Sequence, residues 1–99
     1  MVSFKKSDFH GKGLIADENI AHGKVLHVTH FWNHKHKMWA NIQPNCMYNH
    51  SKEKENCEIH TRHNLKILVA SRYIISGEEL FVDFTKDKDL EQPEQDWKE

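Results

Sequence analysis

The sequence predicts one small domain of mainly β structure with little helix. Short apolar runs recur along the 99 residues, and turns that contain Gly or Asn separate them. Many short strands with such turns between them are typical of a β fold. A chain of this length also favours a single domain, and it can bury only a thin core.

The first third of the chain contains three predicted strands. The first two, Val2 to Phe9 and Leu14 to Ala16, are separated by a turn at residues 11–13. The third, Lys24 to Phe31, follows a turn at residues 20–23 and alternates apolar residues with His and Thr. Alternation with a period of two residues is the pattern of a strand that is buried on one face.

Residues 32–45 give no clear element. The run from Trp32 to Trp39 mixes aromatic, His and Lys residues without clean periodicity. Pro44 disfavours helix in the residue before it, so it ends whatever element precedes it. We assign no secondary structure to this stretch.

The second half contains two longer strands and one short one. A charged loop at residues 52–56 precedes the predicted strand Cys57 to Thr61, and a turn at Asn64 leads into the strand Leu65 to Tyr73. In the latter, Leu65, Ile67 and Val69 share one face. The short strand covers residues 80–84 and carries Asp83 inside it.

The composition favours an intracellular protein without a disulfide framework. The chain has two cysteines, Cys46 and Cys57, which we interpret as free thiols. No apolar run approaches the length of a membrane span, and the first residues lack the apolar core of a signal peptide. We therefore expect a soluble protein of the cytoplasm or nucleus that does not contact membranes.

Charge is divided unevenly along the chain. Residues 1–77 carry 11 Lys or Arg against 6 Asp or Glu, whereas residues 78–99 carry 3 against 9. A solvated surface and tail explain this better than an acidic wall that attracts a basic peptide. We treat residues 86–99 as an acidic C-terminal tail, in which Trp97 predicts a docking contact.

Two stretches differ from ordinary surface loops. Residues 49–51, Asn-His-Ser, directly follow the apolar pair Met47 and Tyr48. Polar groups that enter an interior need hydrogen-bond partners, so this run indicates a hinge, a turn or a ligand contact. The second stretch, residues 77–84, leads from a Gly-Glu turn into the short strand.

Together with the turn at residues 11–13, these stretches resemble the SET domain, the protein-lysine methyltransferase module. The motifs stand in family order: G-x-G at 11–13, N-H-S at 49–51 with a following Asn-Cys pair, and G-E-E-L-x-x-D at 77–83. Three motifs in order are more specific than any one alone. The resemblance covers residues 1–85 and implies a β-clip-like fold of several short-stranded sheets with a threaded, knot-like C-terminal segment.

The resemblance implies transfer of a methyl group from S-adenosylmethionine to a lysine in a protein or peptide. In the family the G-x-G turn borders the cofactor, which assigns Gly11, Lys12 and Gly13 to its binding. The family's Asn side chain and His backbone hold the cofactor as well, which assigns Asn49 and His50. The structural alternatives are a plain hairpin turn and an Asn that pairs with backbone groups.

One departure from the family pattern concerns the reaction. The tyrosine that closes the third motif lends its hydroxyl to the lysine channel, and this chain has Phe84 there. We assign Phe84 and Tyr48 to the catalytic site, with Tyr48 or Tyr73 as the source of a replacement hydroxyl. Three alternatives stay open: a slow or specialised methyltransferase, a binding module for cofactor or peptide, and a structural protein that kept only the fold.

Glu79 and Asp83 have the chemistry of an acid–base pair, but the resemblance implies that they are structural, with Arg72 as a candidate partner.

The nine histidines suggest metal binding, yet the spacing of Cys and His matches no common zinc pattern, so we predict no metal site. The near-neutral chain has no recognised nucleic-acid motif, so we expect no such partner. A homodimer would bury apolar surface that so short a unit exposes.

Overall fold

The computed structural model describes residues 1–90, and these residues form short β-strands and one 3₁₀ turn. The strands, in chain order, are β1 (Val2–Lys6), β2 (Lys12–Ala16), β3 (Val25–Asn33), β4 (Met38–Asn41), β5 (Asn49–His50), β6 (Cys57–Arg62), β7 (Leu65–Ala70) and β8 (Phe81–Val82). A 3₁₀ helix follows at Phe84–Lys86. The predicted mainly β fold with little helix is confirmed.

The strands form three small sheets. Strands β1 and β2 make an antiparallel pair, and the central sheet has the order β4-β3-β7-β6. Strands β5 and β8 pair in parallel, with Asn49 beside Phe81 and His50 beside Val82. This last pairing brings together two motifs that lie about thirty residues apart in the sequence. Threading of the C-terminal segment remains a prediction.

Strand β1 ends at Lys6, three residues before the predicted end at Phe9. The reason is a local turn, in which the Ser7 Oγ accepts hydrogen bonds from the backbone N–H groups of Phe9, at 2.9 Å, and His10, at 3.0 Å. The backbone N–H of Ser7 also donates to the carbonyl of Gly11 at 2.8 Å. A serine hydroxyl that satisfies nearby backbone groups competes with strand pairing, and here it ends the strand.

The stretch without a predicted element contains strand β4 and the turn of a hairpin. Trp32 of β3 lies opposite Trp39 of β4, and their ring centroids are 5.5 Å apart in an edge-to-face arrangement. The Asn33 side chain accepts hydrogen bonds from the backbone N–H groups of Lys35 and His36 and so closes the turn. Aromatic cross-strand pairs stabilise hairpins without requiring a periodic sequence.

In the sequence, Leu65, Ile67 and Val69 form the apolar face of β7. The structure buries mainly the opposite face of this strand. Lys66, Leu68 and Ala70 are at most 1 % exposed, whereas Leu65 is 43 % exposed. The strand also ends at Ala70 rather than at Tyr73. A lysine therefore occupies the buried face, which binary patterning of the sequence does not predict.

Asp83 does not lie inside a strand, so that prediction is wrong. Strand β8 ends at Val82, and the Asp83 carboxylate accepts hydrogen bonds from the backbone N–H of Thr85, at 3.0 Å, and from its hydroxyl. Asp83 thereby caps the 3₁₀ helix that follows. An Asp side chain commonly stabilises a helical turn in this way, because it satisfies donors that the turn leaves unpaired.

The core lies where the three sheets meet. Its most buried members are Leu14, Ile20, Leu68, Ile74 and Leu80. Buried Asn56 ties the sheets together, since its side chain donates to the carbonyl of Glu79 and accepts from the N–H of Phe81. None of the described residues belongs to a helix of the length and apolarity that crossing a membrane requires. The predicted docking of Trp97 lies outside the described residues.

Candidate active site

A cavity of about 690 Å³ opens beside the parallel pair β5–β8. Its walls come from the turn between β1 and β2, from β3 and β4, from the residues around β5, and from the segment after β8. Among the lining residues are Gly11, Lys12, Tyr48, Asn49, His50 and Phe84. Six of the seven residues that the sequence assigns to binding or catalysis therefore border one cavity.

The rim of this cavity carries two lysines and two phenylalanines. Lys12 lies 5.7 Å from the ring centroid of Phe4, and Lys54 lies 5.1 Å from that of Phe9. All four residues line the cavity. Cations held beside aromatic faces on a partly apolar wall suit a ligand that has both an anionic and an apolar part.

Gly13, the seventh assigned residue, lies behind the cavity rather than in its lining. A Cβ atom at this position would lie 2.5 Å from the Glu79 Oε2 and 2.9 Å from the Asn49 Nδ2. Only glycine permits so close an approach of the two side chains. Gly13 therefore sets the position of Asn49, which does line the cavity.

A buried polar network fixes Asn49. Its Nδ2 donates to the Glu79 Oε2 at 2.6 Å and to the carbonyl of His10 at 3.0 Å. The Ser7 hydroxyl donates to the other Glu79 oxygen at 2.5 Å. Glu79 is thus structural, but the proposed partner is wrong, because Arg72 pairs with Glu78 at 3.1 Å instead.

His50 brings an unpaired polar atom to the cavity. Its Nδ1 accepts a hydrogen bond from the backbone N–H of Phe84 at 3.0 Å, so in the neutral ring the proton is on Nε2. That Nε2 is buried and has no hydrogen-bond partner among the described residues, and the side chain is only 2 % exposed. A buried donor without a partner costs about 1–3 kcal/mol, which favours a ligand group that accepts it.

Tyr48 and Phe84 contact each other at the cavity wall. Their ring centroids are 5.6 Å apart and their planes are at 81°, and the Phe84 ring also lies 5.2 Å from the His50 ring. Burial, and after it the nearby Cys46 and Asp87, raises the pKa of the Tyr48 hydroxyl. The hydroxyl therefore stays protonated near neutral pH, beside the position where the family tyrosine is replaced.

Two functional candidates were missed by the sequence analysis. His30 is 6 % exposed and lines the cavity, and Lys66 is fully buried beside it. The alternation of apolar and polar residues in β3 does not reveal that His30 lies on the inner face. The reason is that the pairing of β3 with β7 shifts register twice, between Val25 and His27 and between Val28 and His30. Such irregularities change the direction of a side chain, and the sequence alone does not show where they occur.

Within residues 1–90, no group of three His, Cys, Asp or Glu side chains is arranged to hold a metal ion. Cys46 and Cys57 are free thiols, and burial raises the pKa of each. For Cys57 that pKa is about 12. Thiols in this state are protonated and unreactive near neutral pH.

Comparison with known sequences places the chain in a family. The sequence pattern of the SET domain matches residues 28–85, which is more than half of the chain. The chain therefore belongs to the SET domain family. The match begins after the turn at residues 11–13, so only the structure connects that turn with the site. No curated protein matches the chain.

Solved structures show the same fold. A Plasmodium falciparum protein assigned as a histone methyltransferase superposes with a TM-score of 0.70 at 17 % identity, covering 88 % of this chain and 95 % of its own. Apo ctPRC2 with substitutions in Ezh2 gives a TM-score of 0.69 at 21 % identity, covering 85 % of this chain and 15 % of its own. An inhibitor-bound, humanized Polycomb Repressive Complex 2 from Chaetomium thermophilum gives 0.63 at 22 %, with the same coverage.

Proposed function

We propose that this protein is an S-adenosylmethionine-dependent protein-lysine N-methyltransferase. The observation that carries the proposal is the convergence of Gly11, Lys12, Asn49, His50 and the Tyr48–Phe84 pair on one cavity. In a SET domain these are the positions expected to bind the cofactor and to form the lysine channel. Membership in the family supports methyl transfer as the reaction class.

The residues of the cavity fit the cofactor. A volume of about 690 Å³ lies within the usual range for small-molecule sites, roughly 300–1,000 Å³. Lys12 offers a charge-assisted hydrogen bond to a carboxylate, and Asn49 offers a carbonyl oxygen to an ammonium group. The buried Nε2–H of His50 offers a further donor. When bound, S-adenosylmethionine supplies an electrophilic methyl group on a sulfonium centre.

The protein's own residues then position and dehydrate the lysine amine. Tyr48 and Phe84 form an aromatic wall that excludes water, and the protonated Tyr48 hydroxyl is the candidate group that orients the amine. Alignment of an amine with its target accounts for much of the rate in a displacement reaction. The expected substrate is a lysine-containing protein or peptide.

A binding module is the second candidate function. The observation that favours it is Phe84, which keeps the ring at the cavity wall but has no hydroxyl. Loss of one polar group in a dry site lowers a rate by about a hundredfold to a thousandfold. Cofactor or peptide binding would survive that change. Formation of a homodimer stays a prediction that either function allows.

Calorimetry with S-adenosylmethionine and its demethylated product tests cofactor binding directly. Asn49→Ala is expected to weaken binding, but it also removes the hydrogen bonds to Glu79 and His10, so it perturbs the fold as well. Lys12→Gln is the sharper variant, because it removes a rim charge and is expected to raise Kd about tenfold. Lys24→Gln, at an exposed position outside the cavity, is its matched control.

Absence of heat and of any shift in melting temperature at millimolar cofactor would contradict the proposal. Binding without methyl transfer to a panel of lysine-rich peptides would favour the binding module instead. If neither binding nor transfer is observed, the third alternative remains, a protein that kept only the fold. The two measurements together therefore separate all three alternatives.

A further inference from the structure

His30 is a buried histidine at the cavity for which the proposed function gives no role. It lies on β3, directly opposite Asn41 on β4 and Lys66 on β7. His30 and Asn41 both line the cavity that Tyr48 and Phe84 border. At 6 % exposed, its ring contacts the cavity rather than the outer surface.

Hydrogen bonding orients the His30 ring. Its Nδ1 lies 2.7 Å from the Oγ1 of Thr29, a residue that is fully buried. The Thr29 hydroxyl also lies 3.3 Å from the carbonyl of Lys66, and when it donates its proton there, its oxygen accepts the Nδ1–H of His30. The Nε2 then carries a lone pair, and no described residue donates a hydrogen bond to it.

The surroundings of His30, burial above all, favour the neutral form of its ring. Burial lowers the pKa of His30, the Lys66 ammonium lowers it further, and Asp87 acts in the opposite direction. The Lys66 Nζ is itself held by Asp87 at 2.8 Å and Asp89 at 3.1 Å. A neutral imidazole with a free lone pair is a proton acceptor near neutral pH.

The other titratable groups of the cavity are poorly placed for this task. The Nδ1 of His50 already accepts a backbone hydrogen bond, and its Nε2 carries the proton. Cys46 and Tyr48 stay protonated because burial raises the pKa of each. His10 is exposed at the rim. Within the described part of the cavity, His30 is the buried base.

We propose that the Nε2 of His30 accepts the proton that the ammonium group of the substrate lysine must lose before it is methylated. This inference rests on the proposed methyltransferase function. One N–H bond of the ammonium breaks, its electron pair stays on nitrogen as the lone pair that methyl transfer requires, and an N–H bond forms on Nε2. The imidazolium then releases this proton to solvent, so the ring is regenerated.

Burial of the substrate amine in this cavity favours the transfer. A free lysine amine has a pKa near 10.4, but burial and a nearby positive charge both lower it, because they destabilise the ammonium. A positioned general base typically contributes about a hundredfold to ten-thousandfold in rate. Asp87 and Asp89, close to Lys66, offset part of the positive charge that protonated His30 would add.

The test compares His30→Gln with the unchanged protein, using a short peptide that contains one lysine. Gln fills similar space and can still bond to Thr29, but it does not take up a proton. We expect the rate at neutral pH to fall about a hundredfold or more. The rate of the unchanged protein should rise with pH through the pKa of His30 and then level off, whereas that of the variant should keep rising into the alkaline range. His22→Gln, at an exposed position, should match the unchanged protein.

A second readout does not depend on turnover. In the complex with S-adenosylhomocysteine, the ¹⁵N resonance of the His30 Nε2 should shift toward its protonated value when the lysine peptide is added. A peptide with norleucine in place of lysine should leave it unchanged. If His30→Gln fails to fold, Thr29→Val serves instead, because it keeps the imidazole but removes its orienting hydrogen bond, and about a tenfold loss of rate is expected.

The outcomes distinguish this inference from the proposed function. Absence of cofactor binding in the unchanged protein overturns both. Cofactor binding and turnover, with the same pH profile in His30→Gln and no ¹⁵N shift on addition of lysine peptide, overturn the role of His30 alone. The altered pH profile together with the lysine-dependent shift supports it.

Discussion

Gly13 illustrates how the absence of one side chain shapes the site. It contributes no group to the cavity. Because it has no side chain, the Asn49 Nδ2 and the Glu79 Oε2 can lie 2.6 Å apart next to it. The close approach of backbone to side chain, rather than flexibility, is what this position requires.

Gly13→Ala is expected to destabilise the protein by about 1–3 kcal/mol, because the added methyl group displaces Glu79 and Asn49. Cofactor affinity should fall with it. Urea denaturation and calorimetry measure the two effects. Gly23→Ala is the control, since its φ of +87° introduces backbone strain but no atom lies within 4 Å of the added Cβ. Unchanged cofactor affinity in Gly13→Ala would show that Gly13 serves packing alone.

Phe84→Tyr is expected to raise methyltransferase activity about tenfold or more. The ring already borders the cavity, so the change adds a hydroxyl with little steric cost, and a well-placed polar group is worth up to a few kcal/mol of barrier. A tritiated-methyl assay on lysine-rich peptides measures it, with Tyr48→Phe as the complementary variant. Equal, substantial activity with Phe or Tyr at residue 84, together with a large loss in Tyr48→Phe, would instead assign the hydroxyl role to Tyr48.

The assignments of the candidate site came from the resemblance of three motifs to a family, and the structure brings most of the assigned residues to one cavity. Asn49 and His50 needed partners, and the structure provides Glu79 and the backbone of Phe84. His30 could not be found in this way. Its position depends on two register shifts between β3 and β7, which are properties of the pairing and not of either strand's sequence.

At the scale of elements, the strands were predictable where alternation was regular, and their ends were not. Local hydrogen bonds that the side chains of Ser7 and Asp83 accept from backbone N–H groups end β1 and β8. Strand β4 was missed because cross-strand contacts such as Trp32–Trp39 define it. Long-range pairs are decided by tertiary structure, and local side chain–backbone bonds compete with strand pairing, so an apolar pattern shows neither.

The segment after β8 is held by one buried cation. The fully buried Lys66 bonds to Asp87, Asp89 and the Thr61 hydroxyl, and its Nζ lies 4.5 Å from the ring centroid of Trp39. This segment includes the Phe84–Lys86 turn and Leu90, which also lines the cavity. The contact therefore fixes one wall of the site.

Lys66→Met is expected to destabilise the protein by roughly 1–3 kcal/mol and to speed amide hydrogen exchange after residue 83. Loss of one partner of a buried ion pair is costly, and here the cost is moderated because Asp89 is 43 % exposed and can be solvated. Lys86→Met is the matched control. In its pair with Glu55 the Lys86 side chain is 55 % exposed and the Glu55 side chain 14 %, so this pair should contribute less than the fully buried Lys66. Equal effects of the two substitutions would contradict a special role for Lys66.

At the scale of the whole molecule, polar contacts between sheets supplement a thin core. Asn56 and Glu79 each join elements that are far apart in sequence, and both are buried. A domain of this size buries a modest fraction of its surface, so such satisfied polar groups matter for a unique fold.

Two histidines are expected to make the fold less stable as pH falls below about 6.5, the value for an unperturbed histidine. Burial is the main cause that lowers the pKa of both His27 and His30 in the folded protein. Because the folded pKa is below the unfolded one, the unfolded state binds protons first. The stability that is present above pH 6.5 is therefore lost as pH falls through the folded pKa values.

Urea denaturation between pH 7.5 and pH 5 measures this loss, with a slope of at most about 1.4 kcal/mol per pH unit for each titrating group. The double variant His27→Gln, His30→Gln should show a flatter dependence, and the exposed His22→Gln should not differ from the unchanged protein. Asp83 does not confound the measurement. Burial opposes its ionisation, but hydrogen bonds from Thr85 outweigh this and lower its pKa, so its contribution is lost only in more acidic solution. An unaltered slope in the double variant would show that other groups set the pH dependence.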